Sequence, residues 1–117
     1  MDLVVRQEDH GGVPVVSFAG ELDLTTVPRA RDALVQVATL HPGQTVVVDL
    51  DGVSFLDSVG LGVLVGGLRR LRTTDGDLVL VCTTPRLLDL FNLTRLDRVF
   101  EIYPTVAAIP TGAHHRG

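Results

Sequence analysis

The rhythm of apolar positions changes several times along the chain, and each change marks an element. Leu3-Val4-Val5 and Val13 to Ala19 are Val-rich runs with His10-Gly11-Gly12 between them. Two such runs around a glycine pair predict a β-hairpin. Val15, Val16 and Phe18, broken only by Ser17, predict that the second strand is covered over most of both faces. After Gly20-Glu21-Leu22-Asp23 the period lengthens: Val27, Ala30, Ala33, Leu34, Val37 and Ala38 fall on one side of a helix. Thr25 or Thr26 is the expected cap, Pro28 suits the first turn, and His41-Pro42-Gly43 closes the helix. Thr45 to Leu50 is a run led by four β-branched residues, the pattern of a strand buried on both faces of a parallel sheet. A short loop then leads to a second helix from about Ser58 to Arg72, with Leu61, Leu64, Val65, Leu68 and Leu71 as its apolar stripe. Arg69, Arg70 and Arg72 crowd its last turn, where cations suit the helix dipole.

The remainder repeats the alternation. Leu78 to Cys82 reads as another buried strand. Thr84-Pro85 opens a helix through Phe91, with Asn92 as a left-handed stop. Val99 to Ile102 reads as a last strand, and Thr105 to Ile109 as a final helical turn. The order predicts an α/β fold: a mixed, mostly parallel, four- to five-stranded sheet with helices packed against it, antiparallel only at the N-terminal β-hairpin.

At 117 residues the chain is one domain, expected over residues 1–111, with 112–117 as a polar, flexible C-terminal tail. The net charge is −4 and all ten basic residues are Arg. Without any Lys, a phosphate loop of the G-x-x-x-x-G-K-[ST] type and Schiff-base chemistry are both excluded. An acidic balance makes nucleic acid a poor partner. Cys82 is the one cysteine, so no internal disulfide forms. With no signal-peptide pattern, a reduced, cytoplasmic protein is expected. The longest apolar run, Val59 to Leu68, holds four glycines and falls short of the roughly 18 to 20 residues of a membrane span. His114 and His115 lack further ligands, so no metal is expected, and no cofactor is expected either.

The segment that carries chemistry is Asp49 to Gly62. In α/β folds, ligands and partners meet the protein where a strand gives way to a helix. Ser58 stands there, and the first turn of a helix offers outward N–H groups and partial positive charge. Its hydroxyl is a natural cap, as is the Asp57 carboxylate. A phosphate on Ser58 would be held by the same N–H groups and would add about −1.5 to −2 charge without unfolding the domain. Gly60 and Gly62 either bare the backbone beside it or let the helix pack closely on the sheet, and close packing is the expected role of Gly66 and Gly67. A helical glycine costs roughly 1 kcal/mol against alanine, so four of them ask for a reason.

The run Leu56-Asp57-Ser58-Val59-Gly60-Leu61-Gly62 resembles the phosphorylation motif of bacterial anti-sigma factor antagonists, the STAS-domain family. Gly20-Glu21-Leu22-Asp23 leading into Thr25-Thr26, the strand Val46 to Leu50 with Val53-Ser54-Phe55, and the helix after Thr84-Pro85 are similar to the same family in order and separation. The resemblance runs from about Leu3 to Ile109. It implies the STAS fold and a protein that is not itself an enzyme. The unphosphorylated form would bind an anti-sigma factor serine kinase and so release a sigma factor. That kinase, using its own ATP, would phosphorylate Ser58 and be let go, and a PP2C-type phosphatase would reset the switch. Carried over position by position, the partner-binding residues are Asp23, Thr25, Asp57, Ser58, Val59, Gly60, Leu61 and Gly62. Many members carry Ser or Thr directly after the acceptor; Val59 here removes that second hydroxyl. A homodimer is left open.

Other readings compete. A STAS domain can also serve as a scaffold in a signalling or lipid-transport assembly, with Ser58 only a cap. Gly60-x-Gly62-x-x-x-Gly66 imitates a dinucleotide fingerprint, but lies inside a helix pattern. A hydrolase lacks G-x-S-x-G. A receiver phosphorylated on Asp49 would lack its lysine.

Overall fold

The computed structural model describes residues 2–110. The expected tail, and with it His114 and His115, lies outside the described residues. Strands β1 (Leu3–His10) and β2 (Val13–Leu22) form the hairpin, and helix α1 spans Val27–Leu40. β3 (Thr45–Leu56), α2 (Ser58–Arg72), β4 (Asp77–Val81), α3 (Pro85–Leu93) and β5 (Ile102–Tyr103) follow. Short 3-10 turns occupy Leu96–Arg98 and Val106–Ala108. The five-stranded sheet has the order β1-β2-β3-β4-β5, antiparallel at β1-β2 and parallel thereafter. Gly11 and Gly12 make the hairpin turn with φ of 61° and 91°, values that L side chains rarely adopt and that match the strand twist.

All three helices lie on one face of the sheet. Val16, Phe18, Val46, Val48, Leu50, Leu78 and Leu80 of the strands pack there against helical Leu34, Leu64, Leu68 and Phe91. Phe91 and Phe100 meet edge to face with ring centroids 6.1 Å apart. The opposite face is narrower. Val15, Val47, Val79 and Val81 are buried there beneath Val13, Tyr103, Val106 and Ile109, so the C-terminal turn covers it. This is why β3 and β4 read as apolar on both sides. The six apolar positions of α1 are also its buried set.

Several boundaries differ from expectation, each for a physical reason. β3 does not stop at Leu50. Its pairing with β4 ends at Asp49–Val81, but its pairing with β2 continues to Leu22–Leu56 across two register shifts. Those irregularities let Asp51 and Gly52, turn signals in the sequence, sit within a strand. One residue, Asp57, therefore separates β3 from α2. α3 runs past Asn92 to Leu93, and the left-handed residue is Arg95, with φ of 63°. Val99 to Glu101 is not strand: Leu96–Arg98 is a 3-10 turn whose Leu96 carbonyl accepts from the Val99 and Phe100 amides. Only Ile102–Tyr103 pairs with β4.

The glycines of α2 divide differently as well. A Cβ on Gly67 would stand 3.0 Å from Leu34 Cδ1, so close packing accounts for it. Gly66 faces open space instead, and so does Gly62.

Candidate functional site

The carboxyl ends of β2 and β3 lie side by side and each feeds a helix. The Asp57 amide donates to the Leu22 carbonyl over 3.4 Å, which ties the two exits together. The loop Asp23–Thr26 and the connection at Asp57 with the start of α2 therefore share one end of the molecule.

The first loop is built around one carboxylate. Asp23 Oδ1 accepts from the Thr25 hydroxyl at 2.8 Å, the Thr25 amide at 3.0 Å and the Thr26 amide at 3.2 Å. The Thr25 hydroxyl is the largest influence on the Asp23 carboxyl; desolvation opposes it, and the Thr25 and Thr26 amides add to it, so the group is held below the usual carboxylate range. Such a group contributes its hold on the loop above the ordinary carboxylate pKa, and the hold is lost as pH falls through the lowered value. Thr26, not Thr25, stands at the N-cap position of α1, but its hydroxyl does not cap. It is buried, donates to the Glu21 carbonyl at 2.7 Å and accepts from the Asp23 amide at 3.0 Å. The loop arrives preorganised, with Thr25 and Leu24 exposed.

The second loop is a single residue. Asp57 caps α2: its Oδ1 accepts from the Gly60 amide at 3.0 Å, and its carbonyl accepts from the Leu61 amide at 2.9 Å. Ser58 is thus the first helical residue and not the cap. Its hydroxyl makes no hydrogen bond among the described residues, and the residue is exposed. As first and second residues of the helix, Ser58 and Val59 have no intrahelical acceptor for their amides. Asp57→Ala removes one cap bond and is expected to cost about 1 kcal/mol of stability, with Asp57→Asn retaining most of it. Urea unfolding of the three proteins checks this.

Two residues expected at the partner surface are withdrawn from it. Leu61 belongs to the core. Gly60 is buried, and a Cβ there would stand 2.7 Å from the Leu22 carbonyl oxygen and 2.6 Å from Leu56 Cδ1. Gly60 therefore allows α2 to start close against the end of β2, and does not bare backbone to a partner. Gly62, one turn beyond Ser58, is exposed. Conversely, Leu24 and Phe55 escaped the sequence reading. They are 70 % and 47 % exposed, and with Val59 at 37 % they put large apolar side chains on the loops and strand end around Ser58. Leu24 carried a signal, a bulky apolar residue inside turn chemistry, whereas Phe55 carried none: it is in phase with buried Val53, and the register shift between Gly20 and Glu21 breaks the alternation there. An exposed apolar cluster of this kind marks an interaction surface.

Other chemistry finds no support at this end. Gly60, Gly62 and Gly66 all lie within α2 and form no phosphate loop. Asp49 is half-buried and accepts from the Asp51 amide at 2.9 Å. Asp51 Oδ1 in turn accepts from the Thr83 amide at 2.7 Å and its hydroxyl at 3.0 Å, bracing β3 to the chain after β4. Cys82 is buried, and burial pushes its thiol pKa up, which disfavours the reactive thiolate. Among the described residues, no helix is long and apolar enough to cross a membrane.

Comparison with known proteins agrees with this geometry. A family model described as the STAS domain matches residues 5–109. An anti-sigma-B factor antagonist of Listeria monocytogenes is 38 % identical over 102 residues, covering 87 % of this chain and 86 % of that protein. The anti-sigma-B factor antagonist of Bacillus subtilis is 37 % identical over 87 residues, covering 74 % and 78 % of the two chains. Among solved structures, an anti-sigma factor antagonist from Mycobacterium paratuberculosis superposes with a TM-score of 0.82 at 37 % identity, covering 91 % of this chain and 89 % of the other. The chain belongs to the STAS-domain family of anti-sigma factor antagonists.

Proposed function

We propose that this protein works in the cytoplasm as an anti-sigma factor antagonist whose grip on its partner is switched by phosphorylation of Ser58. The unphosphorylated form binds an anti-sigma factor serine kinase and thereby frees a sigma factor. The observation that carries this reading is the placement of Ser58: exposed, uncommitted in hydrogen bonding, and at the end of the sheet where Leu24, Phe55 and Val59 are also exposed. The kinase transfers the γ-phosphoryl group of its ATP to Ser58 Oγ, a base of the kinase takes the hydroxyl proton, and ADP leaves. No cofactor belongs to this chain.

The new phosphate sits where the Ser58 and Val59 amides point outward, so the helix start tolerates it. It also sits among apolar side chains that the partner has to cover. Burying a dianion against them without paired cations is strongly unfavourable. The kinase therefore releases its product, and a PP2C-type phosphatase restores the hydroxyl by hydrolysis. Asp23, Thr25, Asp57, Val59 and Gly62 complete the contact face, while Gly60 and Leu61 hold it in place from below.

Incubating the protein with its anti-sigma factor kinase and ATP, then mapping the product by mass spectrometry, tests the assignment. One phosphate on Ser58, and none on Ser58→Ala, is expected. A phosphate elsewhere, or none on the wild-type protein, overturns it and leaves a scaffold role for the domain.

A further inference from the structure

The groove between α1 and α2 shares Gly62 with the switch face described above but otherwise lies outside it. It encloses about 130 Å³, with Leu34 and Val63 among its apolar lining and Arg31 and Arg70 contributed by the two facing helices. Gly62 and Gly66 form part of one wall, and a Cβ on either would meet nothing within 4 Å. The protein's own packing thus explains Gly67 but gives no reason for these two, despite their cost to the helix. Something that approaches from outside does.

Its chemistry can be read from the groove. The volume is well below the roughly 300 to 1,000 Å³ of a small-molecule pocket, and suits a few side chains of an apposed helix. Arg31 and Arg70 are exposed and make no ion pair among the described residues, in a chain whose net charge is −4. Two free guanidinium groups across a shallow apolar floor call for carboxylates, which they can grip with two hydrogen bonds each. Ser58, Gly62 and Gly66 are spaced at four residues and so share one side of α2. The groove therefore starts one turn from the phosphorylation site and continues its surface.

We infer that the α1–α2 groove docks an acidic amphipathic helix of the same anti-sigma factor kinase that modifies Ser58. This rests on the function proposed above. The groove would hold the partner before transfer and add affinity that does not depend on the serine.

The test uses the full chain and the purified anti-sigma factor kinase, titrated by calorimetry at several salt concentrations. The pair Arg31→Glu, Arg70→Glu is expected to lower affinity at least tenfold and to flatten the salt dependence. Gly66→Ala is expected to raise the melting temperature and yet weaken kinase binding, opposite signs that a purely structural glycine would not produce. If the charge-reversed pair melts without cooperativity, Arg31→Gln, Arg70→Gln gives the same readout. Wild-type affinity in the Arg variants, with binding lost in Ser58→Asp, overturns the groove and leaves the switch standing. Failure of the wild-type protein to bind the kinase overturns both. Self-association of the wild-type chain that the Arg variants abolish, seen by sedimentation, would make the occupant a second copy and also overturn the inference.

Discussion

Ser58→Asp is expected to lower affinity for the anti-sigma factor kinase at least tenfold, about 1.4 kcal/mol, while leaving the fold intact. Ser58 is exposed at the first position of α2 and its hydroxyl bonds to nothing among the described residues, so replacing it removes no contact. A carboxylate at a helix N-terminus is favoured by the dipole, so stability changes by no more than about 0.5 kcal/mol. Binding responds differently. A partner that covers Leu24, Phe55 and Val59 has to desolvate the new charge beside two existing carboxylates, Asp23 and Asp57. Ser58→Ala has no such charge and is expected to bind as the wild-type protein does, while accepting no phosphate. Calorimetric titration of the three proteins, with thermal melts alongside, checks the pattern. Equal affinities for the Asp and wild-type forms would contradict it.

Gly60→Ala is expected to destabilise the protein by about 1 to 3 kcal/mol, although alanine is the better helix former. The added methyl would stand 2.7 Å from the Leu22 carbonyl oxygen and 2.6 Å from Leu56 Cδ1. The leucine methyl can move, but the carbonyl belongs to the strand end that accepts from the Asp57 amide. Relief therefore comes by lifting the start of α2 off β2, which carries Ser58 with it. Kinase affinity should fall together with stability. Gly62→Ala supplies the contrast: its Cβ meets open space, so the propensity gain of roughly 1 kcal/mol is felt undiminished. Urea unfolding of the two variants should therefore shift in opposite directions. A Gly60→Ala protein as stable as Gly62→Ala would show that the close approach of helix and strand is unimportant.

The fold was legible wherever a single period governed a segment. The six buried positions of α1 and the two-sided strands β3 and β4 repeat without interruption, and burial follows them. The reading failed where pairing overrode local chemistry. Asp51 and Gly52 look like a turn, yet β2 carries β3 on to Leu56 through two register shifts that no local pattern records. Asn92 looks like a helix stop, but the chain reserves its left-handed turn for Arg95. The site was legible as a location and less so as a surface. Ser58 beside a capping carboxylate follows from spacing. The inward turn of Gly60 and Leu61 depends on how α2 lies on the β2 exit, and the outward turn of Leu24 and Phe55 depends on loops and bulges. Motif order also singled out Asp23, but only the structure shows its carboxylate turned onto Thr25 and Thr26 to organise the loop.

At the root of the proposal is a separation: the phosphate alters association and leaves architecture alone. The direct measurement takes one preparation, phosphorylates Ser58 to completion, and compares both forms for kinase affinity and for amide hydrogen exchange across the sheet. Affinity should drop at least tenfold after modification while exchange in β2, β3 and β4 stays unchanged. Unchanged affinity, or a drop accompanied by opening of those strands, would contradict it.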